Sequence, residues 1–136
     1  MIKKTITYTD YNNVKRTEDF YFNLSKAELS EMELSVDGGY AEMAKRIADT
    51  QNAPELVKLF KELILKSYGE KSADGRRFMK VDEKGNSLAI PFSQTEAYSE
   101  LFMELSQDAD AAAKFFTGVI PADLGEQVSA NFKAGV

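Results

Sequence analysis

The sequence predicts an α+β fold in which an N-terminal β-hairpin packs on about five or six helices. Residues 2–23 alternate apolar and polar side chains and are rich in β-branched and aromatic types, whereas most of the remainder carries apolar residues at helical spacing. A chain of 136 residues suits one domain. We therefore expect a single domain over 1–136, with helices within 25–69 and 93–134 and a loop or small hairpin at 70–92.

The hairpin can be predicted down to its register. A three-residue loop, Tyr11 to Asn13 with Asn13 in the left-handed conformation, pairs even positions with even positions. A two-residue loop would set Ile6 opposite Asp19 and split the apolar face, so we expect the longer loop. The face that it creates contains Ile2, Ile6, Tyr8, Val14, Phe20 and Phe22.

Helix boundaries are marked in the segment 25–69. Ser25 and Glu28 have the spacing of a capping box. Pro54 suits the first turn of the strongest helix, and Gly69 is expected to end that helix. The predicted inward positions of that helix are Leu56, Val57, Phe60, Leu63 and Ile64, and those of the helix before it are Tyr40, Met43, Ala44, Ile47 and Ala48.

Three more helices are predicted after residue 92. Ser93 and Glu96 form a second possible capping box, with Phe92 placed for a hydrophobic contact to the new helix. Another helix starts at Asp108, whose charge favours a helix N-terminus, and a last one starts at Pro121. Between 70 and 92 the alternation is weak, and it allows either a loop or a second hairpin around Glu83-Lys84-Gly85-Asn86.

Composition excludes much of the usual catalytic chemistry. The chain has no His and no Cys, so imidazole bases, thiolate nucleophiles and their zinc sites cannot be built. We expect no enzyme activity, no metal and no cofactor. The net charge is −5, and residues 94–136 hold two basic and seven acidic residues, which disfavours nucleic acid as a partner. No apolar run is long enough to span a membrane, and the cytoplasm is the simplest location.

Two groups of residues are candidates for binding a protein partner. Arg76, Arg77 and Phe78 lie in a basic and aromatic cluster with Lys71 and Lys80. Arginine pairs with carboxylates and stacks on aromatic rings, so a protein contact, a nucleic-acid contact and a solvated loop all remain open. Adjacent helical residues point in different directions, so one of Phe115 and Phe116 is either covered by the final helix or part of a docking patch.

Three sequence strings resemble the tail assembly chaperones of long-tailed bacteriophages of Gram-positive hosts. They are NLSKAE at 23–28, YGEKSADGRRF at 68–78 and EAYSELFMEL at 96–105, the last followed by DADA at 108–111. The resemblance covers most of residues 1–122, but VDEKGNSLAIP departs from the more helical segment expected there. The family supplies no agreed binding residues.

The resemblance implies a non-enzymatic protein of the infected host's cytoplasm. Such a protein would bind the tape-measure protein, and a tail-tube protein is a further candidate partner. Two alternatives stay open: a structural virion component such as a tail-tube or connector subunit, and a nucleic-acid-binding regulator that uses Lys71 to Lys80.

Overall fold

A computed structural model of the chain describes residues 1–35 and 53–121. The predicted stripe from Tyr40 to Ala48 and the predicted final helix beyond Pro121 lie outside the described residues. Within them the α+β class is confirmed. The elements in chain order are β1 (Ile2–Thr9), β2 (Lys15–Phe22), α1 (Lys26–Ser35), α2 (Ala53–Ser67), β3 (Tyr68–Lys71), β4 (Phe78–Met79), α3 (Ala89–Ser93), α4 (Glu96–Gln107) and α5 (Ala109–Gly118).

The hairpin has the predicted loop and register. Asn13 adopts a φ of 62°, and Ile6 pairs with Glu18, so even positions face even positions. The Asp10 carboxylate accepts the backbone N–H groups of Asn12 and Val14, which fixes the turn. One member of the expected apolar face is not covered: Val14 is 51% exposed, because it lies beside the turn at the solvated end of the hairpin.

The strands form one antiparallel sheet in the order β1-β2-β3-β4. β3 pairs with β2 only at Tyr21 and Phe22, so the rest of β2 has no strand on that side among the described residues. The prediction that Gly69 ends a helix is wrong: α2 ends at Ser67, and Gly69 lies in β3, opposite Tyr21. A Cβ at Gly69 would come within 2.6 Å of the Phe78 ring, so the strands can approach this closely only because the residue is glycine.

The capping predictions have mixed outcomes. The first capping box is confirmed, since the Ser25 N–H donates to the Glu28 carboxylate at 2.9 Å and the Glu28 N–H donates to the Ser25 hydroxyl at 3.2 Å. The second is wrong. Ser93 belongs to the short helix α3 and donates to a carbonyl within it, so Thr95 caps α4 instead, accepting from the Tyr98 N–H at 3.3 Å. Asp108, expected at the start of α5 for its charge, is the N-cap of that helix and accepts the N–H groups of Asp110 and Ala111.

Residues 70–92 contain the β3–β4 pair and a second turn. The Asp82 carboxylate accepts the N–H groups of Lys84 and Asn86, both at 2.9 Å. The second hairpin considered for this segment is limited to a single bridge between Val81 and Ser87. Local turn chemistry shapes this stretch, and its short strands extend the sheet by only a few residues.

The core lies between the sheet and the helices. Phe60, Leu63 and Ile64 are buried as expected, whereas Val57 is 48% exposed. The apolar buried residues are Ile6, Phe22, Leu24, Leu29, Leu59, Phe60, Leu63, Ile64, Phe92, Ala97, Leu101, Leu105, Ala112, Phe115, Phe116, Val119 and Ile120.

Phe92 is the centre of an aromatic cluster. Its ring stacks on Tyr68 with centroids 4.1 Å apart and planes 2° from parallel. Aromatic pairs of this kind contribute about 0.5–1.5 kcal/mol beyond the area that they bury. Phe92 therefore joins β2, β3 and α4 through one side chain, and its ring partners are Phe20 at 5.3 Å, Phe22 at 5.8 Å, Tyr68 at 4.1 Å and Tyr98 at 5.9 Å.

Replacing a buried ring of α2 should destabilise the fold. We expect Phe60→Ala to lower the free energy of unfolding by about 3–5 kcal/mol, because the ring is lost from a packed core. Val57→Ala is the control on the same helix and should cost less than about 1 kcal/mol, since Val57 is half exposed. Urea denaturation measures both. Equal losses in the two variants would contradict the packing described here.

Stability should fall at high pH because of Tyr68. Burial, followed by the charge of Glu70, raises the pKa of Tyr68 to about 12 from the usual value of 10.0. The folded state therefore holds the phenolic proton more tightly, and this contribution is present below pH 10 and is lost as pH rises through about 12. After allowance for its partial exposure we expect a loss of about 1–2 kcal/mol.

Tyr68→Phe supplies the comparison, because it keeps the ring and removes the ionisable group. Denaturant unfolding of both proteins at pH 9 to 12 should show a shallower decline for the variant. Parallel declines would show that Tyr68 does not contribute to the pH dependence.

Candidate partner-binding surface

The predicted basic cluster lies on the turn that joins β3 to β4. Residues 72–77, here called the arginine turn, close through a hydrogen bond from the Ser72 N–H to the Arg77 carbonyl at 2.8 Å. Gly75 adopts a φ of +73°, a conformation that side chains disfavour. The turn is therefore encoded by its own residues, with glycine at the position that requires positive φ.

Side chains within the arginine turn hold its shape. The Ser72 hydroxyl donates to the Asp74 carboxylate at 2.6 Å and accepts the Arg77 N–H at 3.0 Å. Asp74 also accepts the Arg76 N–H at 3.0 Å. The Ser72 hydroxyl, and then the Arg76 N–H, lower the pKa of Asp74. The carboxylate is thus committed to the backbone of the turn and stays ionised at neutral pH.

Arg76 and Arg77 project from this framework into solvent. Both are exposed, and neither guanidinium has a hydrogen bond or an ion pair with any residue in the described ranges. Their backbones are fixed by Ser72 and Asp74, so the two cations are presented from a defined position. This is the arrangement that suits recognition of carboxylates on another molecule.

Lys80 of the predicted cluster, unlike the two arginines, is bonded to other parts of the chain. The Lys80 ammonium donates to the carbonyl of Lys66 at 2.6 Å and of Asn23 at 2.8 Å, and it lies 3.3 Å from the Glu28 carboxylate. Burial lowers the pKa of Lys80, and Glu28 opposes that change. Lys80 therefore connects β2, α1 and the end of α2 as a structural residue. The sequence alone does not distinguish Lys80 from Arg76 and Arg77, because the carbonyl groups that accept hydrogen bonds from Lys80 lie far from it in the chain.

Phe78 and Lys71 face each other in the β3–β4 ladder. Phe78 is half-buried, with the Lys80 ammonium 5.3 Å from its ring centre. The Lys71 ammonium lies 4.6 Å from the centre of the Tyr21 ring, a cation-π distance. Both residues therefore anchor the turn to the sheet, and part of each remains accessible beside the two arginines.

A groove of about 540 Å³ borders the arginine turn. It opens where β2 and β3 separate, and it is lined by residues 19–21, 68–71 and 72–75. The lining residues include the aromatic residues Phe20, Tyr21 and Tyr68 beside charged ones. The arginine turn thus forms one wall of a concave surface that an extended segment or a helix edge could enter.

Phe115 and Phe116 are not on this surface. Phe115 is 1% exposed and Phe116 is 0% exposed, so neither forms a docking patch on the folded chain. The Phe115 ring contacts Phe22 of the sheet, with centroids 5.2 Å apart. Both rings are buried, and the final helix that was expected to cover one of them lies outside the described residues. Of the five predicted partner-binding residues, the structure brings together Arg76, Arg77 and Phe78 and places the other two in the core.

Glu96, Glu100 and Glu104 are spaced four residues apart and form an acidic ridge on α4, and the contacts of this ridge were not predicted from the sequence. The Tyr11 hydroxyl donates to Glu96 at 2.8 Å, and the Lys4 ammonium pairs with Glu104 at 3.0 Å. Two of the three ridge carboxylates therefore hold the hairpin against α4, and Glu100 between them stays exposed. The spacing of the ridge was visible in the sequence, but its basic and phenolic partners lie about ninety residues away.

Chemical sites of other kinds are not apparent in the described residues. Within 1–35 and 53–121, no three residues of the His, Cys, Asp and Glu types come together in a way that could hold a metal ion. No helix in these ranges combines the length and apolar character needed to span a bilayer.

Comparison with known proteins agrees with the resemblance seen in the sequence. A protein-family model described as phage tail assembly chaperone matches residues 1–134. No curated protein and no solved structure matches the chain. Since the family match extends over nearly all of the 136 residues, the chain belongs to the phage tail assembly chaperone family.

Proposed function

We propose that this protein is a non-enzymatic chaperone that binds the tape-measure protein, keeps it soluble and assists assembly of the tail tube around it. Membership of the tail assembly chaperone family supports the role, and tail proteins are the partners that it implies. The cytoplasm of the infected host, where the phage tail is assembled, is the proposed site of action. The tail-tube protein is a second proposed partner.

The observation that carries the binding proposal is a pair of arginines on a fixed turn whose guanidinium groups have no partner in the described part of the chain. Because Ser72 and Asp74 already order the backbone, binding there costs little backbone conformational entropy. Arg76 and Arg77 can each form two parallel hydrogen bonds to a carboxylate. The contacted part of the tape-measure protein is therefore expected to present acidic side chains, with apolar groups entering the adjoining groove.

Charge distribution favours a soluble complex. The chain carries a net charge of −5, and its excess acidic residues lie in the last third, away in sequence from the arginine turn. A protein with this distribution can offer a basic contact to its partner while the rest of its surface keeps the complex in solution. This combination suits a protein that covers the apolar helical faces of an unassembled chain.

Loss of the two arginines should weaken capture of the tape-measure protein. We expect Arg76→Ala combined with Arg77→Ala to reduce affinity at least tenfold, about 1.4 kcal/mol, because two charge-assisted contacts are lost. Co-expression with the tape-measure protein of the same phage, followed by pulldown and titration calorimetry, measures the effect. Folding should be unchanged, as neither guanidinium has a hydrogen bond or an ion pair with a described residue.

Lys58→Ala with Lys61→Ala is the matched control, because it removes the same charge from exposed positions on α2. Equal weakening in both double variants would show a general charge effect and remove the arginine turn from the interface. Failure of the unmodified protein to capture the tape-measure protein would refute the proposed partner. Stable presence of the protein in purified virions would favour the structural alternative, a tail-tube or connector subunit; we expect it to be absent.

A further inference from the structure

The sheet has an open edge along the first part of β2. β3 pairs with β2 only at Tyr21 and Phe22, so the outward backbone groups of Lys15, Thr17 and Asp19 have no strand partner among the described residues. Successive residues of an antiparallel strand direct their backbone N–H and C=O groups to opposite sides. The odd positions of β2 direct theirs away from β1, as does the next odd residue, Asn23, which donates its N–H to the Ser67 carbonyl on the β3 side. Such an edge is a template for another strand.

The residues along this edge are complementary to themselves. The segment 15–19 reads Lys-Arg-Thr-Glu-Asp, so its charges invert about Thr17. If a second copy pairs antiparallel with Thr17 at the centre, Lys15 lies opposite Asp19 of the partner subunit. Arg16 lies opposite Glu18 of the partner subunit in the same way. Opposite charges directly across an antiparallel pair stabilise it.

We propose that the protein forms a two-fold symmetric dimer in which the β2 edges of two copies pair around Thr17. Three facing pairs would each exchange two backbone hydrogen bonds, about six in all, and would join the two sheets into one. The interface uses the same surface on both subunits, which is the usual form of a protein dimer. This inference concerns self-association and does not depend on the identity of the tail partner.

The side chains needed for the charged pairs are accessible. Lys15 is exposed and has no ion pair in the described part of the chain. Within the described residues, Asp19 accepts the Thr5 hydroxyl alone, at 2.6 Å, on one of its oxygens. Arg16 and Glu18 already bond to Asp10 and Tyr8 respectively, so the pairs between Lys15 and Asp19 are the ones that dimerisation adds.

The surroundings of β2 fit this arrangement. Strand pairing must stop at Asp19, because β3 occupies the edge from Tyr21 onward. The outer edge of β1 is a poorer template, since that strand carries Lys3 and Lys4 but no carboxylate to face them.

Charge exchange between two variants tests the proposed register. In a dimer of the Lys15→Asp variant, each of the two pairs between positions 15 and 19 brings two carboxylates together. In a dimer of the Asp19→Lys variant, each of these pairs brings two ammonium groups together. Each variant alone should remain a monomer, whereas an equimolar mixture should dimerise, because the mixed pair restores both opposite-charge contacts. The exchange variant with both substitutions should also dimerise.

Sedimentation velocity at concentrations up to about 1 mM measures these states, since an interface this small is expected to be weak. The unmodified protein should shift from 15.2 kDa toward twice that mass as concentration rises. Thr17→Pro should abolish the shift and leave the circular dichroism spectrum unchanged, because the lost N–H points away from β1.

Three results would overturn the proposal. They are an unmodified protein that stays monomeric up to the highest concentration, single variants that dimerise like the unmodified protein, and a mixture that dimerises no better than its components. Circular dichroism and melting curves of each variant establish that the hairpin is folded, so loss of association is not confused with unfolding.

Discussion

The aromatic cluster around Phe92 is the constraint on which the rest of the structure depends. An isolated two-stranded hairpin is marginal in water, and the hairpin here is stabilised because Phe20 and Phe22 pack on Phe92. The same ring stacks on Tyr68, the first residue of β3. Since β3 leads directly into the arginine turn, the packing of Phe92 also fixes where Arg76 and Arg77 stand relative to the sheet.

Polar contacts reinforce this arrangement at the periphery. Lys80 connects the end of α2 with the chain that leaves β2, and the ridge carboxylates Glu96 and Glu104 hold the hairpin against α4. Each contact joins segments that are far apart in the sequence. Local turn chemistry then completes the surface, because Asp10, Asp74 and Asp82 each accept at least one backbone N–H of the turn in which they lie.

What the sequence could predict was the local part of this structure. The hairpin register followed from strict alternation and from Asn13, and the first helix followed from Ser25 and Glu28. The role of Gly69 was missed because it depends on the distant ring of Phe78. Ser93 and Thr95 are both reasonable caps, and the choice between them was decided by α3, whose formation brings Phe92 into the core.

The sequence predicted the types of residue on the candidate surface, but it did not predict which of the candidate residues would lie there. Arg76, Arg77 and Phe78 are adjacent in sequence and remain together in the fold. Lys80 is not part of that surface, because its ammonium group donates to carbonyl groups at the end of α2 and just after β2. Phe115 and Phe116 are both buried, which helical periodicity alone did not predict. Burial of this kind depends on tertiary contacts and has no local sequence pattern.

Amide hydrogen exchange of the complex with the tape-measure protein tests the central claim most directly, because it reports on the arginine turn without altering it. The account predicts slower exchange in the segment 68–78 on binding, with little change in α2, whose core amides are already protected. Unchanged exchange at 68–78 in a saturated complex, with protection elsewhere, would contradict the assignment of this turn as the partner-binding surface.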